Sequence, residues 1–266
     1  MALLTIKMTK IREFFLPKAK LTASVEVLDL SHMAQVLAVQ DETRTALLPA
    51  EKRFVIPQTP AYFQRLLSQE NGMMIGIRCN GQLIAQMAVM GAMSLPDALE
   101  NDSITRNNVR LHHAEPSDMI VIAKSMAVLP TWRGNELSQH LLESALSLPF
   151  VRSADHMFAQ ISANNVRSWD VFLKQGFGIV AAAIDPIDNQ PRFILQKPAL
   201  GFALHPVASA VDIAPSTDFE AVVRLTEREA LVGQVDSTEP TRLTFYASAD
   251  NASTWSEDIV GRRAHI

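Results

Sequence analysis

An arginine and a glycine side by side, set between a strand-ending proline and an amphipathic helix, are the residues of this sequence best suited to hold an anion. Arg133 and Gly134 lie in the turn of the stretch Ala123 to Leu146, AKSMAVLPTWRGNELSQHLLESAL. The run Met119 to Val128 reads as a buried strand that breaks at Leu129-Pro130. Beyond the turn, Leu137, Leu141, Leu142, Ala145 and Leu146 recur at helical spacing. A helix start leaves backbone N–H groups without partners and carries partial positive charge, so it attracts phosphate where glycine lets the backbone come close.

The order of residues resembles motif A of the Gcn5-related N-acetyltransferases, the GNAT superfamily, whose turn binds the pyrophosphate of acetyl-CoA. Val128, Pro130 and Arg133 stand at the motif's first three positions, and Gly134 follows. Glu136 occupies the main glycine position and Ser138 the final glycine-or-alanine position, two departures from the pattern. A second segment, running from Asn165 through Ser168, Phe172, Lys174 and Gly176 to Phe177, is similar to motif B of the same family, with the strand-like Met157 to Ser162 before it. The motifs lie in the family's order, and the resemblance covers residues 22–198. It implies the α/β GNAT fold, with a mixed, mostly antiparallel central sheet flanked by helices.

The same resemblance implies a chemistry: direct transfer of the acyl group of an acyl-CoA, acetyl-CoA by default, to an amine on a small molecule or protein, with no metal. Backbone groups of Met126, Ala127 and Val128 would bind the pantetheine arm as an added strand. Arg133, Gly134, Asn135, Glu136, Leu137 and Ser138 would meet the pyrophosphate, and Asn165 with the motif B helix, Phe172 included, would line the thiol end. A carboxylate at Glu136 opposes a diphosphate unless its side chain turns away. Backbone N–H groups can still form the cradle if the chain keeps its path.

Direct attack needs a neutral amine, a stabilised oxyanion and a proton for the departing thiolate. Many family members take that proton from a motif B tyrosine, and Phe172 stands there instead. Ser168, one helical turn earlier, could bind a water or the sulfur, or could be a small residue that lets the helix pack. Asp118, Glu115 and His113 precede the central strand as candidate bases, with a solvated role as the alternative for each. Lys124 lies on the strand itself. Two rival readings stay open: a degenerate GNAT-fold binding module without turnover, and an acyltransferase for longer chains or a carrier-bound donor.

Composition narrows the remaining classes. With 48% hydrophobic and 20% charged residues, the 266-residue chain has the make-up of a globular protein, and its net charge of −4 gives no general attraction to nucleic acid or anionic membrane. Cys79 is the one cysteine, which excludes a disulfide framework and a thiolate metal cluster, and the seven histidines show no metal-ligand spacing. No apolar run approaches the ~20 residues of a bilayer span. A cytoplasmic protein is expected, its oligomeric state open, a homodimer included.

The positioning elements follow in chain order. Residues 1–21 form a basic leader, packed, frayed or lying as a helix on a membrane surface. Ser24 to Leu28 alternates as a strand, and Ser31 offers an N-cap to the next helix. Thr59-Pro60 caps a second helix whose stripe of Tyr62, Phe63, Leu66 and Leu67 reads as core, with a ligand site as the alternative, and Gly72 is its stop. Met73 to Cys79 and Gln82 to Met90 form a hairpin turning at Asn80-Gly81. Residues 91–117 lose periodicity and form a long insertion, a lid or a disordered excursion. A last hairpin spans Gly178 to Asp185 and Arg192 to Lys197. A C-terminal α/β extension, residues 199–266, holds a strand Ala210 to Ile213, a helix with Phe219, Val222, Val223 and Leu231, and a strand Leu243 to Ala247. It is an appended element or the remnant of a second GNAT-like unit.

Overall fold

Strand β1 (Lys10–Leu16, KIREFFL) lies inside the predicted leader. The computed structural model describes residues 10–70, 72–94, 117–184, 191–198, 210–213, 231–235 and 243–246. The chain divides into two compact units, residues 1–92 with 121–154, and residues 93–120 with 155–266. This division cuts across the domain expected over 22–198.

In the first unit, β1 pairs antiparallel with β2 (Leu21–Leu28), placing Glu13 opposite Ser24 and Leu16 opposite Leu21. That pairing is why the leader is a strand: the register puts Leu16 and Ala23 in the core and leaves Phe15 and Glu13 outside. β2 pairs with β3 (Gly72–Cys79), and β3 with β4 (Gln82–Ser94), both antiparallel. β5 (Met119–Val128) lies next to β4 in the sheet. The β3–β4 turn has both central residues left-handed, Asn80 at φ 49° and Gly81 at φ 80°, the primed geometry that suits a two-residue hairpin.

Helix α1 (Met33–Thr45) is preceded by a 3-10 turn, Leu30–His32, and the cap is Asp29 rather than Ser31. Asp29 accepts from the backbone N–H of Ser31, and His32 reaches back to the Asp29 N–H. Thr59 caps α2 (Pro60–Leu67) by accepting from the Tyr62 N–H. Gly72 does not stop that helix; it opens β3 at φ 153°, where a Cβ would lie 2.5 Å from the Val89 carbonyl oxygen. The core joins Leu28, Val36, Phe63, Met74, Leu83 and Leu129, with Tyr62 and Trp132 packed against it. Burying each large apolar side chain is worth about 1.5–3 kcal/mol. Helices α3 (Leu137–Ser147) and α4 (Pro149–Arg152) complete the unit, α3 lying against β2 and β3.

In the second unit, β6 (His156–Ser162) and β7 (Gly178–Ile184) flank β8 (Pro191–Pro198), all antiparallel. Helix α5 (Val166–Lys174) buries Trp169, Phe172 and Leu173. Beyond β8 come β9 (Ala210–Ile213), β10 (Leu231–Val235) and β11 (Leu243–Tyr246). β10 pairs with β7 and with β11, and β11 with β9. Leu231, expected at the end of a helix, instead opens β10 opposite Ile179, because pairing with an existing strand satisfies its backbone groups. The rest of that expected helix lies outside the described residues, as does the insertion from 95 to 116. Positions 91–94, assigned to the insertion, continue β4.

Candidate active site

The junction after β5 is built so that the chain stops being a strand without leaving the core. The Leu129 N–H donates to the Ile84 carbonyl at 3.0 Å, and the Leu129 side chain is buried. Pro130–Trp132 then make one 3-10 turn, anchored by Trp132 against the core. Asn135, buried, ties the turn with its amide donating to the Trp132 carbonyl at 3.0 Å. Gly134 is left-handed at φ 79° and Glu136 at φ 57°, ψ 23°. Two such residues let the chain curl into α3 so that its first N–H groups, at Leu137, Ser138 and Gln139, precede the first helical bond, His140 N–H to Glu136 O at 3.1 Å.

Glu136 therefore adopts the backbone shape a glycine takes most easily, although it carries a side chain. Its carboxylate is exposed and makes no capping bond to the helix. It does exert an attraction on the His140 imidazole one turn on. The turn takes a left-handed path into α3, and the acid stands beside it. Arg133 and Gly134 are exposed at its mouth.

A second cation reaches the same turn. Lys18, in the turn between β1 and β2, places its Nζ 2.6 Å from where a Cβ on Gly134 would lie. Glycine at 134 is favoured by its φ, whereas the ammonium is the far end of a flexible side chain that can move aside. Below it, Arg12 of β1 ties the strand to α3: its Nη2 lies 2.6 Å from His140 Nδ1, donates to the His140 carbonyl at 3.2 Å, and pairs with Glu143 Oε2 at 2.9 Å. The Phe14 ring lies over the His140 ring at 3.9 Å between centroids. Burial and the Arg12 guanidinium together hold the His140 imidazole below its ordinary value. Burial pushes Glu143 up, but hydrogen bonds from Gln139 and Arg12 and the charges of Arg12 and His140 outweigh it, and its carboxyl stands below the usual range.

On β5, Met126 and Val128 are half-buried and Ala127 is buried. The Val128 carbonyl accepts from the Thr43 hydroxyl at 3.3 Å. The strand changes character at its middle: Ile120 to Ala123 are buried, whereas Lys124, Ser125 and Met126 are all half-exposed. Ser125 at φ 50° is the cause, since a left-handed residue inside a strand breaks the alternation of faces.

The remaining expected site residues belong to the second unit. Asn165 opens α5 without a side-chain cap bond, and its carbonyl accepts from the Ser168 N–H at 2.9 Å. Ser168 is half-buried in the first turn. Phe172 is buried edge-to-face against Phe177, with ring centroids 5.0 Å apart, so its ring serves the core. Asp118 faces buried His156, with Oδ2 3.0 Å from Nε2. Gln196 Nε2 lies 3.1 Å from the other ring nitrogen, an arrangement that puts the ring hydrogen on Nε2, donated to Asp118. Asp118 precedes the first residue of β5, whereas the cradle follows the last. Glu115 and His113 lie outside the described residues.

No protein-family model and no curated protein matches the sequence. Among solved structures, an acetyltransferase of the GNAT family from Streptococcus agalactiae is similar, with a TM-score of 0.50 at 12% identity over 67% of this chain and 96% of that one. The chain has the GNAT fold. Also similar are Arabidopsis thaliana NAA60 in complex with acetyl-CoA (TM-score 0.49, 11% identity, 66% of this chain and 98% of that one) and the ribosomal-protein-S18-alanine N-acetyltransferase from Escherichia coli (0.48, 12%, 70% and 99%). On this GNAT fold, the residue that sequence reading missed is Lys18. Its only local signal is the Pro17-Lys18-Ala19-Lys20 run, a turn legible once KIREFFL and LTASVEVL are taken as a hairpin. Among the described residues no group of three metal-ligating side chains occurs, and no helix is long and apolar enough to cross a membrane.

Proposed function

We propose that this protein is an acyl-CoA-dependent N-acyltransferase that moves an acetyl group from acetyl-CoA directly to an amine. The observation that carries the reading is the conformation of the turn: Gly134 and Glu136 are both left-handed, so the backbone enters α3 as an anion cradle despite the acidic side chain. Lys18 and Arg133 add two cations against one carboxylate, which favours a diphosphate there. The half-exposed second half of β5 offers backbone groups to an extended arm.

In the reaction, the amine nitrogen attacks the thioester carbonyl, the C–S bond breaks and CoA leaves with the electron pair on sulfur. The cradle's work is positioning: holding the diphosphate fixes the thioester against the acceptor, which removes most of the entropy of encounter. Thermal unfolding with and without CoA is the test. At ~100 times its dissociation constant the ligand stabilises the fold by ~2.7 kcal/mol. Absence of any shift at millimolar CoA sinks the reading and leaves a binding module of another kind.

A further inference from the structure

The transferase reading leaves the departing thiolate without a proton, because Phe172 is a phenylalanine and is buried in the core. The sequence holds two tyrosines, Tyr62 and Tyr246. Tyr62 stands in the first turn of α2, half-buried, with its ring edge-to-face on Phe63 at 5.3 Å between centroids. Its hydroxyl lies 3.3 Å from the Ser125 hydroxyl. Ser125 is the left-handed residue at which β5 passes from buried to half-exposed. Strained residues of this kind persist where the surrounding structure holds them, and they gather at functional positions.

Length arithmetic brings the thiol to the same place. If the diphosphate sits in the turn after β5, the pantetheine arm runs back along the strand from Val128. Extended, that arm covers about four residues of strand at ~3.3 Å each. Counting back four from Val128 reaches Lys124 and Ser125. We propose that the Tyr62 phenol, steered by Ser125, is the proton donor to the CoA thiolate, in the role for which Phe172 has no proton. This rests on the transferase reading above.

The step balances. The C–N bond forms and the C–S bond breaks, with the electron pair remaining on sulfur. The phenol proton of Tyr62 moves to that sulfur. The phenolate is reprotonated from solvent through the Ser125 hydroxyl, and the new amide loses its surplus ammonium proton to solvent. Tyr62 keeps its place without the oxygen, because its ring packs against the Leu28 and Phe63 core. A phenylalanine there removes the proton and little else.

The test uses the full chain and CoA itself, so that no acceptor need be known. The thiolate of bound CoA is followed by its ultraviolet absorbance across pH in the wild type, in Tyr62→Phe and in Ser125→Ala, with the dissociation constant of each measured alongside. A donor phenol favours the thiolate, so at a given pH the wild type holds about a tenfold larger thiolate fraction than Tyr62→Phe, at similar affinity. Ser125→Ala falls between the two. Identical thiol titrations in wild type and Tyr62→Phe, with CoA bound to both, overturn the assignment of Tyr62 and leave the transferase reading standing. If the wild type binds no CoA at all, both fall together.

Discussion

Replacing Glu136 by glycine separates what the turn does for the fold from what it does for a ligand. In the folded chain Glu136 sits at φ 57°, ψ 23°. Relief of a left-handed non-glycine residue gains about 1–2 kcal/mol. Against that, glycine frees the unfolded chain by about 0.4–1 kcal/mol, and a carboxylate lost from a helix N-terminus removes about 0.3–1 kcal/mol. These nearly cancel, so the melting temperature moves by less than about 4 °C. Binding changes more. A unit charge ~6 Å from another in water interacts by ~0.7 kcal/mol, so removing the acid from beside a diphosphate of about two charges gains ~1.4 kcal/mol. Glu136→Gly therefore binds CoA about tenfold more tightly at low salt, and the gain shrinks as salt rises towards ~0.15 M, where the screening length is ~8 Å. Glu136→Ala removes the same charge but keeps the backbone strain, so it matches the affinity gain while melting below the glycine variant. Calorimetric titration with CoA at two ionic strengths reads the effect. Unchanged or weaker binding by Glu136→Gly refutes the placement of the diphosphate in this turn.

Lys18→Ala weakens CoA about three- to tenfold and flattens the salt dependence of binding, while leaving acetyl-pantetheine, which has no diphosphate, unaffected; equal losses for both ligands count against the contact at Gly134. Arg12→Ala strips β1 from α3 and costs about 1–3 kcal/mol in urea unfolding, because Glu143 and His140 lose a half-buried donor; a change within error says that the pairing carries nothing. In the wild type, both His140 and Glu143 titrate below their ordinary values of 6.5 and 4.5, so their contribution is whole above those values and is lost as pH falls through the folded ones. The wild type accordingly loses stability on acidification below 6.5 more steeply than His140→Gln, and parallel curves contradict this. Asp118→Asn destabilises the second unit by about 1–3 kcal/mol by weakening the acceptor of a buried imidazole, without changing CoA affinity; a loss of affinity at unchanged stability returns Asp118 to the list of catalytic groups.

How far the sequence reaches is visible at particular residues. β5, its break at Leu129-Pro130 and the helix beyond it were legible because a buried strand and an amphipathic helix have different periods, and proline marks the change. Asn80-Gly81 likewise names its own turn. β1 was not legible: Lys10, Arg12 and Glu13 spoil a local pattern, and the strand exists because β2 offers it backbone partners and α3 offers Arg12 a carboxylate. Leu231 went to a strand for the same reason, since pairing with Ile179 outweighs a local helical propensity.

By itself the sequence settled the end of β5 and the start of the helix beyond it, because periodicity, caps and breakers act between near neighbours. It could not decide whether Glu136 would spoil the turn, since a left-handed backbone is imposed by what holds both ends of the loop, Leu129 and Trp132 in the core on one side and α3 on the other. Nor could it bring Lys18 to Gly134, or Tyr62 to Ser125, residues more than sixty positions apart whose meeting depends on sheet pairing and helix packing. Those contacts are long-range, and only the folded chain closes them.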